Sequence, residues 1–419
     1  MRAGIRGILV TFVILPSVLQ AQETRPADTP HAETQPANAA EWFVSMITVR
    51  GEEFPRRLVR SAPLREPEVM LEIQDPEQVF SGALLDRSGQ LVAVKRVGKP
   101  SREGPRTVAG GPASEVPFKL FEKFIPNTQV SLDTLTVSPD GRWLVADYRS
   151  PPVLPGGRGG SKRILAIGDR STVIEVVHRW YLCRPLSWSP DSARVAFYYV
   201  TDPNHDDRYI QKHGVAVLTT QGALQVILPA EEAAGTPSLF DAKDIPVGWS
   251  QSGRFLYYTD GIPTPPGEEY YEPLSATYRY DFETQHISQV ASGTFLDVAP
   301  NDAYVLTRLQ IRQDNHPATV TAQTMLATGE VRHLPKELVF PRVSPSGKFA
   351  VDWVRAFGKV APPPDAKRDL QFYRTSDWQP IGEPIPAGGT YTGLNIWFRN
   401  FRWITLDSPP QPAVPTTQP

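Results

Sequence analysis

The stretch LTVSPDGRWLVADY, residues 135–148, sets in order an apolar run, a Ser-Pro-Asp-Gly turn, a basic residue and a second apolar run. The phrase returns as LSWSPDSARVAFYY (186–199), VGWSQSGRFLYYTD (247–260) and PRVSPSGKFAVDWV (341–354). Weaker copies are LLDRSGQLVAV (84–94) and LDVAPNDAYVLTRL (296–309). Aligned on the glycine slot, which Gly89, Gly141, Ser192, Gly253, Asp302 and Gly347 fill, successive copies lie 45 to 61 residues apart. A self-similar unit at that period predicts repeated supersecondary structure, with loops of unequal length around a constant core.

The turn chemistry makes each phrase a hairpin. Proline at the second turn position fixes φ near −65°, Asp, Asn or Ser stabilises the turn, and the glycine slot supplies positive φ where the next strand starts. Runs such as Trp143-Leu144-Val145-Ala146 and Phe255-Leu256-Tyr257-Tyr258 are apolar at consecutive positions, as in strands buried on both faces. After each hairpin comes a second pair of strand-like runs around a short turn: ILAIGDRSTVIEVV from 164, VAVLTTQGALQVIL from 215, YRYDFETQHISQV from 278 and TAQTMLATGEVRHL from 321. Four antiparallel strands per repeat of about 50 residues is a propeller blade, so the predicted fold is an all-β propeller.

With those motifs in view, the chain resembles the WD40-like propeller repeats of the TolB type, whose mark is S-P-D-G-[KR] followed by apolar residues. Ser138-Pro139-Asp140-Gly141-Arg142 matches in full, and Ser344-Pro345-Ser346-Gly347-Lys348 and Ser189-Pro190-Asp191 match in part. The resemblance covers residues 80–390 and implies the repeat fold, not TolB itself, because residues 41–80 are too few for the α/β domain that TolB-like proteins carry. Propeller peptidases are similar in repeat but carry a hydrolase domain with G-x-S-x-G, a pentapeptide this chain lacks. A degenerate seventh copy, LNIWFRNFRWITLD at 394–407, favours seven blades over six. It is expected to give the inner hairpin of a last blade, with outer strands from 42–49 and 68–73, so that the two chain ends close the ring.

The expected order of domains is a signal peptide (1–21), a Pro/Thr-rich disordered spacer (22–41), the propeller (42–407, with 42–80 completing the last blade) and a disordered tail (408–419). Arg2 and Arg6, the apolar stretch 8–15, Pro16 and the small Ala21 have the anatomy of an export signal. The mature chain is therefore expected to be periplasmic or extracellular, without membrane insertion and monomeric. Cys183 is the single cysteine, so no intrachain disulfide is expected. The 43 basic and 45 acidic residues balance, which argues against nucleic acid as a partner.

Function is sought at one end of the blades. First-to-second and third-to-fourth turns are short and share a face, while the second-to-third loops lie opposite and are long, starting at 97, 149, 200, 259, 309 and 355. Loops of that length in a propeller suggest binding. The candidate binding face comprises Arg149, Arg158, Asp202, His205, Asp206, Asp207, Glu268, Glu269, Tyr270, Tyr271, Arg312 and Arg355. The Asp/His group, with His213, matches no metal spacing, so no metal or other cofactor is expected. Tyr270 and Tyr271 offer aromatic faces to a sugar or peptide, and the arginines favour acidic groups. No nucleophile–base set or paired-carboxylate motif is recognisable, so the first reading is a non-enzymatic exported propeller that binds a protein or polysaccharide. The alternative is a propeller hydrolase or lyase acting on glycans or other exported polymers, with acids and bases drawn from several blades near the axis.

Overall fold

The computed structural model describes residues 40–48, 56–73, 78–85, 91–98, 107–108, 136–140, 142–149, 162–168, 172–178, 181–200, 210–211, 213–234, 236–237, 246–262, 275–313, 316–355, 368–387 and 403–406. All of these belong to the unit Asn38–Pro419. The signal, spacer and tail expected from the sequence lie outside the described residues.

The hairpin phrase forms as its turn chemistry predicts, and its serine holds it. Ser138, Ser189, Ser250 and Ser344 are each fully buried, at 0% exposure. Each hydroxyl accepts the N–H five residues on, from Trp143 (2.9 Å), Arg194 (3.0 Å), Phe255 (2.9 Å) and Phe349 (3.3 Å). The Ser138 and Ser189 hydroxyls also donate to the turn carboxylates of Asp140, at 2.5 Å, and Asp191. Among the described residues, backbone in the glycine slot is left-handed, at φ 60° for Ser192, 72° for Gly253, 53° for Asp302 and 72° for Gly347. The slot thus imposes its conformation even where no glycine occupies it.

Each hairpin begins a four-stranded antiparallel sheet, named here by its turn. The Ser138 sheet runs Thr136–Val137, Trp143–Arg149, Lys162–Gly168, Thr172–His178. The Ser189 sheet has Tyr181–Trp188, Arg194–Val200, Gly214–Thr219 and Leu224–Leu228. The Ser250 sheet has Gly248–Trp249, Phe255–Gly261, Ser275–Asp281 and His286–Ser292. The Ala299 sheet has Thr294–Val298, Tyr304–Gln313, His316–Met325 and Val331–His333. The Ser344 sheet has Arg342–Val343, Phe349–Arg355, Arg368–Arg374 and Pro380–Ala387. A first sheet has three strands among the described residues: Gln78–Leu85, Leu91–Gly98 and Thr107–Val108.

Sheets cover one another's faces, which is why their central strands are apolar at consecutive positions. Six of the seven residues of Phe255–Gly261 are buried. Tyr257 stacks on Phe295 of the following sheet with centroids 5.9 Å apart, and a Cβ on Gly248 would come within 2.5 Å of that same ring. First strands of successive sheets adjoin, from Ser189 to Ser250, Ala299 and Ser344. Repeated four-stranded meanders packed face to face, with first strands side by side, define a propeller fold.

The chain ends meet in one closing sheet, ordered Trp403–Leu406, Ala40–Thr48, Arg56–Ser61, Glu68–Ile73. The sequence suggested a hairpin from residues 394–407 and two strands from the N-terminal side. Instead, one strand comes from the C-terminal side and three from the N-terminal side, because Trp403–Leu406 pairs directly with Ala40–Phe43.

Candidate functional site

The two ends of the blades are built differently. At the tight-turn end described turns are tied to neighbouring sheets. The N–H of Asp140 donates to Ser192 Oγ (3.0 Å), Arg194 to the carbonyl of Gly253 (2.7 Å), and the Tyr257 hydroxyl to Asp302 (2.8 Å). Ser346 donates its N–H and its hydroxyl to Glu41 of the closing sheet. Third-to-fourth turns join the same end: Thr220, Phe282, Leu326 and Thr375 donate their N–H groups to carbonyls of Ala193, Arg254, Ala303 and Lys348. Arg254 makes a two-pronged pair with Asp281 (3.1 and 2.7 Å) and reaches Glu283 at 2.7 Å. That guanidinium holds the Asp281 carboxyl far below the usual carboxylate range.

First strands are also laced together. Trp249 donates its indole N–H to the carbonyl of Ser187 (2.9 Å), Arg342 to that of Leu296 (2.8 Å), and Trp403 to that of Arg342 (3.0 Å). Asp297 accepts the N–H of Val343 (2.8 Å) and of Val298 (2.9 Å). It is the one carboxyl in the described first strands. Burial raises its pKa, partly offset by Arg342 and the two N–H donors. The residue keeps some exposed area, but protein encloses the carboxyl itself. Its bonds make it a cap on the neighbouring strand. The rows of unpaired backbone groups that edge strands present are thus taken up by side chains of adjoining sheets.

At the long-loop end, Arg158, Asp202, His205, Asp206, Asp207, Glu268, Glu269, Tyr270 and Tyr271 lie outside the described residues. Arg149 and Arg355 are the last residues of second strands, where the long loops leave the sheets. His213 is not a rim residue: it is 4% exposed and stands edge-on to Tyr198, with centroids 6.4 Å apart. Tyr198 in turn spans two sheets, exchanging hydrogen bonds with the N–H (2.6 Å) and carbonyl (3.3 Å) of Thr259. Nearby Tyr258 is held neutral well beyond the ordinary tyrosine range by burial, with Tyr198, Asp260 and Tyr278 adding to the shift. Loops at this end also pair with one another, Ile210–Gln211 against Thr236–Pro237.

One stretch read as a loop is a strand arm. Tyr304–Gln313 and His316–Met325 stay paired through ten residue pairs, Tyr304↔Met325 to Gln313↔His316. The second strands of the Ser138, Ser250 and Ser344 sheets have seven residues. Arg312 therefore occupies a register position opposite Pro317.

Among the described residues no group of three or more His, Cys, Asp or Glu stands together as a metal site, and no helix is long and apolar enough to cross a membrane. No protein-family model matches the chain, and no curated protein matches it. Solved structures of similar fold include an oligogalacturonate lyase in complex with manganese (12% identity, TM-score 0.47, covering 78% of this chain and 85% of that one). A putative TolB from Agrobacterium tumefaciens is similar at 13% identity and TM-score 0.36, over 89% of this chain and 99% of that one. Pyrococcus horikoshii acylaminoacyl peptidase matches at 12% identity and TM-score 0.41, over 62% of this chain; the chain spans 40% of that peptidase.

Proposed function

We propose that this chain is an exported, non-enzymatic propeller of seven blades with TolB-type repeats, binding a protein or polysaccharide through its long-loop end. The count takes the first sheet, the five sheets named by their turns, and the closing sheet as one blade each. The observation that carries the binding reading is the contrast between the ends. Short turns at one end are consumed in contacts with neighbouring turns, such as Asp140 with Ser192 and Ser346 with Glu41. At the other end the strands part into connections of 12 or 13 residues (150–161, 201–213, 262–274 and 356–367), which is where a rigid scaffold places recognition. The arginine-to-signal sequence at the N-terminus supports export. Asp297, the carboxyl of the first strands, is engaged as a backbone cap, which supports binding over catalysis.

The test is capture from exported material and from a panel of polysaccharides by the full chain and by Tyr270→Ala/Tyr271→Ala. Loss of capture at an unchanged melting temperature supports the reading. Turnover of a polymer in the panel, or capture that is lost instead through tight-turn variants, would contradict it.

A further inference from the structure

We infer that the long-loop end takes an acidic polysaccharide, along an arc of basic strand mouths that crosses the joint between the two ends of the chain. This rests on the reading of that end as a binding face. Where a second strand leaves its sheet and the third returns, the two terminal residues oppose each other across the ladder. That pair is Arg355↔Arg368 in the Ser344 sheet, Thr48↔Arg56 in the closing sheet with Arg57 next in line, and Arg149↔Lys162 in the Ser138 sheet. In the first sheet the mouth pair is the neutral Val97↔Thr107 with Arg96 next in line, as Asp369 is in the Ser344 sheet. The Ser189, Ser250 and Ala299 mouths are Tyr199↔Gly214, Gly261↔Ser275 and Gln313↔His316. Every Lys, Arg, Asp or Glu among these mouth pairs is basic, in a chain whose 43 basic and 45 acidic residues otherwise balance.

The register sets two basic residues opposite each other in the Ser344 sheet, Arg355↔Arg368, and in the Ser138 sheet, Arg149↔Lys162. The basic mouths are also neighbours. The Ser344 sheet adjoins the closing sheet, the closing sheet leads into the first sheet through residues 74–77, and the first sheet adjoins the Ser138 sheet. The register makes this visible, because Arg355 and Arg368, or Arg56 and Arg149, are far apart in sequence. Guanidinium groups bind carboxylates and sulfates in a two-pronged geometry. Basic residues recurring at one register position, in the mouths of the Ser344, closing and Ser138 sheets, match a polymer with an acid group in each repeating unit.

The experiment measures binding of the full chain to alginate, uncharged dextran, poly-L-glutamate and single-stranded DNA at low and at physiological salt. Variants are Arg355→Gln/Arg368→Gln, Arg149→Gln/Lys162→Gln and, at the tight-turn end, Lys348→Gln. The expected result is binding to alginate and not dextran, weakened by salt as charge contacts are, and weakened roughly tenfold in each double variant, a loss of about 1.4 kcal/mol. Lys348→Gln leaves it unchanged. Melting temperature stays constant in the double variants; a purely structural role would lower it. Equal binding to dextran, no binding to alginate, tighter binding to poly-L-glutamate or DNA, or double variants that bind alginate like the parent would each overturn the inference. If capture in the preceding test still depends on Tyr270 and Tyr271 while the arc variants bind normally, the arc fails and the binding face stands.

Discussion

The tight-turn end and the long-loop end of the same strands follow opposite rules. At the first, side chains are spent on structure: buried serines close the turns, and Arg194, Tyr257 and Ser346 tie turns to neighbouring sheets. At the second, the register sets basic residues opposite each other, Arg355↔Arg368 and Arg149↔Lys162, at the places where loops leave the ladder. Stability is concentrated where neighbouring sheets share hydrogen bonds, and the other end is free to carry residues chosen for what they meet. Substitutions at the two ends should therefore separate stability from binding.

The largest stability loss is expected in the lacing of the first strands. Trp249 is 8% exposed, stacks on Phe282 at 5.3 Å and carries the Arg194 guanidinium over its ring. Trp249→Ala should cost about 3–5 kcal/mol in urea unfolding, and a loss under about 1 kcal/mol would mean that the sheets are held elsewhere. Next are the turn serines: Ser250→Ala and Ser344→Ala each leave a buried N–H without its acceptor and should cost about 1–3 kcal/mol. Asp297 gives a finer distinction. Because burial already favours its neutral form, Asp297→Asn should keep most of the stability in thermal unfolding, while Asp297→Ala should lose about 1–3 kcal/mol by abandoning Val343.

A pH dependence follows from Arg254. The Asp281 pKa is lowered in the folded state, so its contribution is present above the ordinary carboxylate pKa and is lost as pH falls toward the depressed value. An NMR titration should find Asp281 ionised well below the ordinary range in the parent and shifted back toward that range in Arg254→Ala. The smallest effect is a gain. Gln285 is exposed and left-handed at φ 56°, so Gln285→Gly should raise stability by about 0.5–1 kcal/mol at most. None of these changes should alter ligand capture.

Much of this architecture was legible in local sequence. Ser-Pro-Asp-Gly encodes its turn within five residues, and the turn ends at the predicted slot even at Ser192 and Asp302. Consecutive apolar residues in 255–258 announced strands covered on both faces, and the short second turns of each repeat fell on the expected end. The role of the serine was less plain, since turn statistics emphasise Pro, Asp and Gly while the hydroxyl acts on an N–H that becomes its neighbour only after the hairpin closes. Pairing between distant segments was not legible. Trp403–Leu406 has only four residues and finds its partner at Ala40–Phe43, so no local periodicity could divide the closing sheet correctly. The arm at 304–325 was hidden because Gln310, Arg312 and Gln313 give a strand the composition of a loop. Of the candidate site, single basic residues such as Arg149 and Arg355 were visible. Their opposition to Lys162 and Arg368 needed the register.

Hydrogen exchange on the full chain, free and bound to the macromolecule it captures, tests the division between the ends most directly. Slowed exchange should appear at the strand mouths around residues 149, 162, 355 and 368 and leave the turns at 250–254 and 344–348 unchanged. Slowed exchange confined to those turns, with the mouths unaffected, would contradict the account.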